Sequence, residues 1–215
     1  MYCRDCLINQ MKDVINHINF GEPLNNDLLT KEEIASIKGL LDKDAQFFFD
    51  SDPAATSLEE IKIAYPGYWA ICIHRLAHQL YLRGQKLEAR VMSEYAHEST
   101  GIDIHPGATI GCPFFIDHGT GVVIGQTSIV GDRVKIYQGV TLGALSPDKG
   151  QAIRNCKRHP TIGNDVVIYA NASIIGDISI GDNCTIGGSV FLTESVAPNQ
   201  RVIMDKPTII YKDKR

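Results

Sequence analysis

Residues 161–192 read TIGNDVVIYANASIIGDISIGDNCTIGGSVFL, and an aliphatic side chain returns at every sixth position: Ile162, Ile168, Ile174, Ile180, Ile186 and Leu192. The same period runs upstream through Ile104, Ile110, Ile116 and Val122, slips by two residues at Gly119 and Gly121, and resumes at Ile124, Val130, Ile136 and Leu142. All fourteen positions hold Ile, Val or Leu. The residue four later is usually small or β-branched, as at Ala108, Thr120, Ser128, Val140, Ala172 and Val190, and the residue one later is often glycine. A period of six suits neither a helix nor a long flat strand. It suits short strands joined by tight corners, each coil stacking its aliphatic residues on those of the next. Three such units close a triangular coil, so fourteen give between four and five coils. Gly and Asn supply the backbone angles that tight corners need.

Ahead of residue 100 the pattern is helical. Thr30-Lys-Glu-Glu has a capping hydroxyl followed by acidic residues that complement a helix dipole. Ser51-Asp-Pro-Ala reads as a second start, with proline suited to a first turn. Pro66-Gly67 breaks the chain; beyond it Ile71, Leu76, Leu80, Leu87 and Val91 follow helical spacing, with Gly84 separating two helices. His74 and His78 lie four apart, but no glutamate of a metal-binding HExxH run stands between them, and the pair reads as core. The expected organisation is a helical region over 1–99, a β-solenoid over 100–198 with a long loop at 143–161, and a tail over 199–215.

Composition excludes several classes. With 44% hydrophobic and 21% charged residues over 215 positions, the chain has the makeup of a folded globular protein. No apolar run reaches the roughly 18 residues that span a bilayer, and the N-terminus lacks the apolar block of a secretion signal. The expectation is a cytoplasmic protein without membrane partners. A net charge of −4 offers no basic field for nucleic acid. Six irregularly spaced cysteines (Cys3, Cys6, Cys72, Cys112, Cys156, Cys184) read as reduced thiols. Cys3 and Cys6 form one CxxC without the second pair a zinc site requires.

The period breaks twice, and both breaks carry polar residues. Ile116-Asp-His-Gly-Thr-Gly precedes the two-residue slip; the stretch from Gly143 to Thr161 ends in Lys157-Arg-His-Pro. Loops of such length in a compact domain are usually functional. Asp103 precedes His118 by about one coil, which sets it on the neighbouring turn. Each of these residues also has a structural reading as a corner cap or a solvated charge; their coincidence at the two irregularities favours chemistry.

At these strings the chain resembles the serine O-acetyltransferases, which carry hexapeptide repeats in a left-handed parallel β-helix behind an N-terminal helical domain. The matching strings are Thr100-Gly-Ile-Asp-Ile-His-Pro-Gly-Ala, Ile116-Asp-His-Gly-Thr-Gly-Val-Val-Ile-Gly, Gln138-Gly-Val-Thr-Leu-Gly and Arg158-His-Pro-Thr-Ile, with Asp52-Pro-Ala-Ala further upstream. The resemblance implies His118 as the base that deprotonates serine and Asp103 as the carboxylate that orients it. It implies Asp52 and Asp117 facing the substrate ammonium, with Arg158 and His159 on its carboxylate. Acetyl-CoA is the implied co-substrate, lying against Gly143, Ala144, Ala170 and Gly188 in a groove between neighbouring β-helices, and no metal is implied. The same resemblance implies a homotrimer, extended in some members to a hexamer as a dimer of trimers.

Three features depart from the family pattern. Leu142-Gly-Ala144 replaces Leu-Gly-Gly, the loop from Ser146 to Lys157 is longer, and the chain ends Lys-Asp-Lys-Arg215. Better-known members end in an isoleucine that inserts into the sulfhydrylase using their product, so the basic end argues against that cysteine synthase complex here. Three other readings fit the repeat: an acyltransferase for another hydroxyl or amine, a γ-type carbonic anhydrase, and a non-catalytic scaffold. The first would not need Asp52 or Arg158 for a zwitterion. The second needs an HxxxxH ligand pair that is lacking around His118 and His159. The third leaves both polar interruptions unexplained.

Overall fold

A computed structural model describes residues 4–24, 28–145, 147–205 and 210–212. Cys3, Ser146 and the final Asp-Lys-Arg lie outside the described residues. Five helices come first: α1 (Arg4–Phe20), α2 (Lys31–Ser51), α3 (Leu58–Ala64), α4 (Pro66–Leu82) and α5 (Lys86–Thr100). The start of α2 is a reciprocal cap. Thr30 Oγ1 accepts from the Glu33 N–H at 3.2 Å and Glu33 Oε2 accepts from the Thr30 N–H at 2.8 Å.

Ser51-Asp-Pro is an end, not a beginning. Asp52 is the C-cap of α2, its N–H donating to the Phe48 carbonyl at 3.0 Å. Pro53 forces the residue before it out of the helical region, and Asp52 is extended at ψ 109. The next helix starts instead at Leu58, where Ser57 Oγ accepts from the Glu60 N–H at 3.0 Å. Pro66 opens α4 at its first position, and Gly84 lies between α4 and α5 as expected. Leu87 departs from the expected apolar stripe and is 68% exposed. The buried face of α5 is Ala89, Met92, Ser93 and Ala96.

Fourteen short parallel strands follow, numbered along the chain and distributed over three sheets. Sheet I contains β1 (Asp103–Ile104), β4 (Val123–Ile124), β7 (Thr141–Gly143), β10 (Ser173–Ile175) and β13 (Phe191–Leu192). Sheet II contains β2 (Thr109–Ile110), β5 (Ile129–Val130), β8 (Thr161–Ile162) and β11 (Ser179–Ile180). Sheet III contains β3 (Phe114–Ile116), β6 (Val134–Ile136), β9 (Val167–Ile168), β12 (Thr185–Ile186) and β14 (Arg201–Val202). Register turns the sixfold period into columns. Ile104, Ile124, Leu142, Ile174 and Leu192 pair down sheet I. Ile116, Ile136, Ile168, Ile186 and Val202 pair down sheet III. Most of these side chains are buried, and the columns form the solenoid core.

One member of the repeat sits elsewhere. Val122 is not a strand residue; the two residues inserted near Gly119 and Gly121 carry it to the buried corner place that Val140, Ala172 and Val190 hold on later coils. Thr120, expected at that place, is exposed. Corners between sheets II and III are tied by a ladder: Asp132 Oδ1 accepts from Cys112 N–H, Asn164 Oδ1 from Asp132 N–H, and Asp182 Oδ1 from Asn164 N–H, at 2.7–2.9 Å.

The helices seat on the first coil through a buried ion pair. Arg75 Nε and Nη2 donate to the two oxygens of Asp44 at 2.6 and 3.0 Å, and the guanidinium also reaches the carbonyls of Ile110 (3.3 Å) and Gly111 (2.9 Å). Asp44 Oδ1 in turn accepts from the Phe114 N–H at 2.9 Å. Around this pair, Phe48 packs edge-on against Phe115 with centroids 4.7 Å apart. Within the described residues no helix is long and apolar enough to cross a membrane.

Candidate active site

The turn from sheet III to sheet I on the first coil carries Asp117 and His118. His118 has φ 56, the left-handed region, while its side chain is 70% exposed, with Nε2 3.8 Å from Asp117 Oδ1. Other left-handed corner residues are mainly Asn, Asp or Ser, and His is, with Asn and Asp, among the residue types that enter that region most readily. An imidazole held outward on such a turn is free to meet a ligand. The glycine after it is obligatory: Gly119 has φ 84, and a Cβ there would lie 2.4 Å from Ile102 Cδ1.

Asp52 reaches the same locality from the end of α2. Its Oδ2 accepts from the Tyr65 hydroxyl at 2.6 Å and its Oδ1 from the Ala54 N–H at 2.8 Å. The Tyr65 hydroxyl, then the Ala54 amide, hold the Asp52 carboxyl below its ordinary pKa, with the His118 charge adding to them against a burial penalty. The same hydrogen bond raises the Tyr65 phenol to about 12. Asp103 lies on β1, facing outward beside inward Ile104, one coil from the turn. Among the described residues, the carboxylate in ion-pair range of His118 is that of Asp117.

Arg158 and His159 stand at a different corner, between β7 in sheet I and β8 in sheet II, where a 3-10 segment (Pro147–Ile153) fills part of the interruption. Thr127 organises both. Its Oγ1 accepts from the Arg158 and His159 N–H groups at 3.0 and 3.1 Å and contacts His159 Nδ1 at 2.9 Å. The Thr127 N–H also donates to that Nδ1 at 3.2 Å, which assigns the proton of the neutral ring to Nε2. Burial first, then Arg158 and Lys157, push the His159 pKa down to about 4. The ring packs against Gly125, where a Cβ would lie 2.0 Å from His159 Cδ2. The Arg158 guanidinium is fixed by Gln126 Oε1 and by the carbonyls of Arg154 and Cys156 at 3.2 and 3.3 Å. A cleft of about 520 Å³ opens here, lined by Gln126, Ala144, Gln151, Arg154, Arg158 and His159 among others.

The candidate residues therefore divide between two edges of the prism. Asp52, Asp117 and His118 share the edge between sheets III and I with Ala170 and Gly188, which follow β9 and β12 on later coils, and Asp103 lies just beyond that edge. Gly143, Ala144, Arg158 and His159 occupy the edge between sheets I and II. Sequence reading missed Tyr65, Thr127 and Gln126. Tyr65 carried only the signal of an aromatic before Pro-Gly, and the other two carried none. The histidines expected to be core residues are so placed: His74 is buried, stacked on His78 with centroids 5.6 Å apart, and His78 Nδ1 contacts the Pro106 carbonyl at 2.8 Å. Cys72, Cys112, Cys156 and Cys184 are thiols without disulfides.

Comparison with known proteins agrees with this architecture. The family model described as bacterial transferase hexapeptide (six repeats) matches residues 159–194. A plasmid-encoded serine acetyltransferase of Synechococcus elongatus is 55% identical over 168 residues, 77% of this chain and 53% of that protein. The chain thus spans about half the length of that relative. The Bacillus subtilis serine acetyltransferase is 49% identical over 154 residues, 71% of this chain and 68% of its own. Among solved structures, serine acetyltransferase isoform 3 of Entamoeba histolytica in complex with cysteine superposes with TM-score 0.81 at 35% identity, covering 95% of this chain and 84% of the other. The Neisseria gonorrhoeae serine acetyltransferase in complex with serine gives 0.77 at 32%, covering 92% and 82%. With the solenoid, the helical region and extended identity all in common, the chain belongs to the serine acetyltransferase family.

Proposed function

We propose that the protein transfers the acetyl group of acetyl-CoA to the hydroxyl of L-serine. The observation that carries this reading is the division of charge between two edges: a solvent-facing imidazole among carboxylates on one, an arginine beside a neutral N–H-bearing histidine on the other. A zwitterion needs both. Asp52 and Asp117 suit its ammonium, and Arg158 with His159 Nε2–H suits its carboxylate. The names of the relatives and the serine complex of the gonococcal enzyme support serine as acceptor.

One copy cannot bring two corners of a prism together, so the site is completed by a second copy that lays its I–II edge on the III–I edge of the first. That contact is head-to-tail and closes as a ring; three triangular prisms give a homotrimer. Gly143 and Ala144 of one copy then border the same groove as Ala170 and Gly188 of the next, where small residues leave room for the pantetheine arm.

In the reaction His118 accepts the serine hydroxyl proton as the oxygen attacks the thioester carbon. The tetrahedral adduct collapses with cleavage of the C–S bond, and the CoA thiolate takes the proton from the imidazolium. Asp103, one coil away, is the residue proposed to steady the charged imidazole. The decisive assay follows free thiol with acetyl-CoA and L-serine. Serine-dependent release, lost in His118→Ala, supports the reading; release with another acceptor but not serine reassigns the substrate.

A further inference from the structure

A second concavity, of about 630 Å³, opens on the helical side of the Arg158 cleft, walled by α5, the first two coils and the end of the long loop. Its charged lining side chains are all cationic: Lys86, Arg90, Arg154 and Lys157. No carboxylate lines it, in a chain whose net charge is −4. Arg90 pairs with Glu94 and Lys157 with Asp177 at 3.6 Å, both outside the lining. Among the described residues, Lys86 and Arg154 have no carboxylate partner; Lys86 Nζ instead sits over the Tyr81 ring at 4.3 Å. The floor is His105, whose pKa is pushed down to about 4 by burial first and then by Arg90, Arg158, His159 and Lys86. The neutral imidazole thus sits among four cationic side chains, two of which have no carboxylate partner among the described residues. The remaining wall supplies polar groups, Gln126 and Thr127, suited to fixing an oxyanion's orientation.

We infer that this cleft binds a compact multivalent phosphate-type anion, beside the Arg158–His159 cleft, with which it shares Gln126 and Arg154. Its size admits more than a single inorganic ion, and a free phosphate and one esterified to a small metabolite present the same chemistry to it. The inference does not depend on the acetyl-transfer reading, because it concerns binding alone.

The test is titration calorimetry of the full chain with inorganic pyrophosphate, and with a sugar phosphate to represent the esterified source, each in chloride buffer of matched ionic strength. Lys86 and Arg90 are exposed on α5, and glutamine keeps a good helix propensity, so Lys86→Gln/Arg90→Gln is expected to fold, with circular dichroism as the check. Binding of either probe, weakened by about tenfold or more in the double variant and unchanged in Lys31→Gln on α2, supports the site. The stronger probe identifies the source. Equal binding by wild type and double variant overturns it, placing the anion elsewhere. So does failure of both probes to bind wild type; a change of oligomeric state in the double variant would then show that the cations serve a second copy.

Discussion

The Tyr65 hydroxyl and Asp52 Oδ2 are 2.6 Å apart, joining the residue that caps the start of α4 to the one that ends α2. The tyrosine ring is itself held edge-on against fully buried Phe48, with centroids 6.2 Å apart. Asp52 is thus aimed by a post anchored in the core. Removing the hydroxyl in Tyr65→Phe keeps the packing and frees the carboxylate. The expected outcome is a KM for serine raised about threefold to tenfold, a part of the roughly 1.5–3 kcal/mol worth of a hydrogen bond to a charged group because Tyr65 acts through Asp52, with a smaller change in kcat. Because the bond lowers the Asp52 pKa, the defect should deepen as pH falls toward the ordinary carboxylate range. An unchanged KM would remove Tyr65 from the site.

The proposal of a site shared between copies makes a quantitative prediction about mixtures. His118→Ala and Arg158→Ala are each expected to be inactive alone. Refolded together in equal amounts, about a quarter of the sites pair an intact III–I edge with an intact I–II edge, and about a quarter of wild-type activity should return. No recovery in verified mixed oligomers would sink the shared site.

Acid should destabilise the fold through histidine. His74 is buried with Nδ1 unbonded, and its pKa is held well below 6.5 by burial first and then by His78, Arg75 and His105. The unfolded chain binds that proton and the folded chain does not. The associated stability is complete above about pH 6.5 and is lost as pH falls below it, with a slope approaching ~1.4 kcal/mol per pH unit. His105 and His159, lowered to about 4, act in the same direction. Denaturant titrations from pH 8 to 5 should show the decline, and His74→Phe should make it shallower, leaving the share of His105 and His159; a flat wild-type profile would refute the assignment.

Breaking the Asp44–Arg75 pair should cost far more than replacing it. Asp44→Ala leaves a guanidinium with 5% side-chain exposure beside an empty place, an expected loss of about 3–5 kcal/mol. Asp44→Leu with Arg75→Met should recover part of that loss in urea titrations. Additive losses would show that the pair acts through its carbonyl and amide contacts rather than as a couple.

Much of the fold was legible because a solenoid repeats one local rule. Ile162 to Leu192 obey the sixfold period without interruption, and each strand position fell where the period put it. Val122 misled because a two-residue insertion changes which column a residue joins, and only pairing of Asp103 with Val123 reveals the shift. Ser51-Asp-Pro misled because proline both starts and stops helices, and α2 happened to arrive from the N-terminal side. Of the candidate site, the motif strings were visible. Their division between two edges was not, since spacing along a chain does not state which corner a residue occupies. Tyr65 and Thr127 act through distances across the fold, which no local pattern encodes.

A stack of parallel coils exposes unpaired backbone groups at each terminus, a template on which further β-structure, including that of another molecule, can grow. At the first coil those groups include the carbonyls of Ile110 and Gly111 and the amide of Phe114. Arg75 occupies the carbonyls and Asp44 the amide. Two side chains from the helices thereby stand in for a strand that does not exist. Severing them would do more than loosen the helical region: it would leave at the first coil unpaired backbone groups of the kind onto which further β-structure adds.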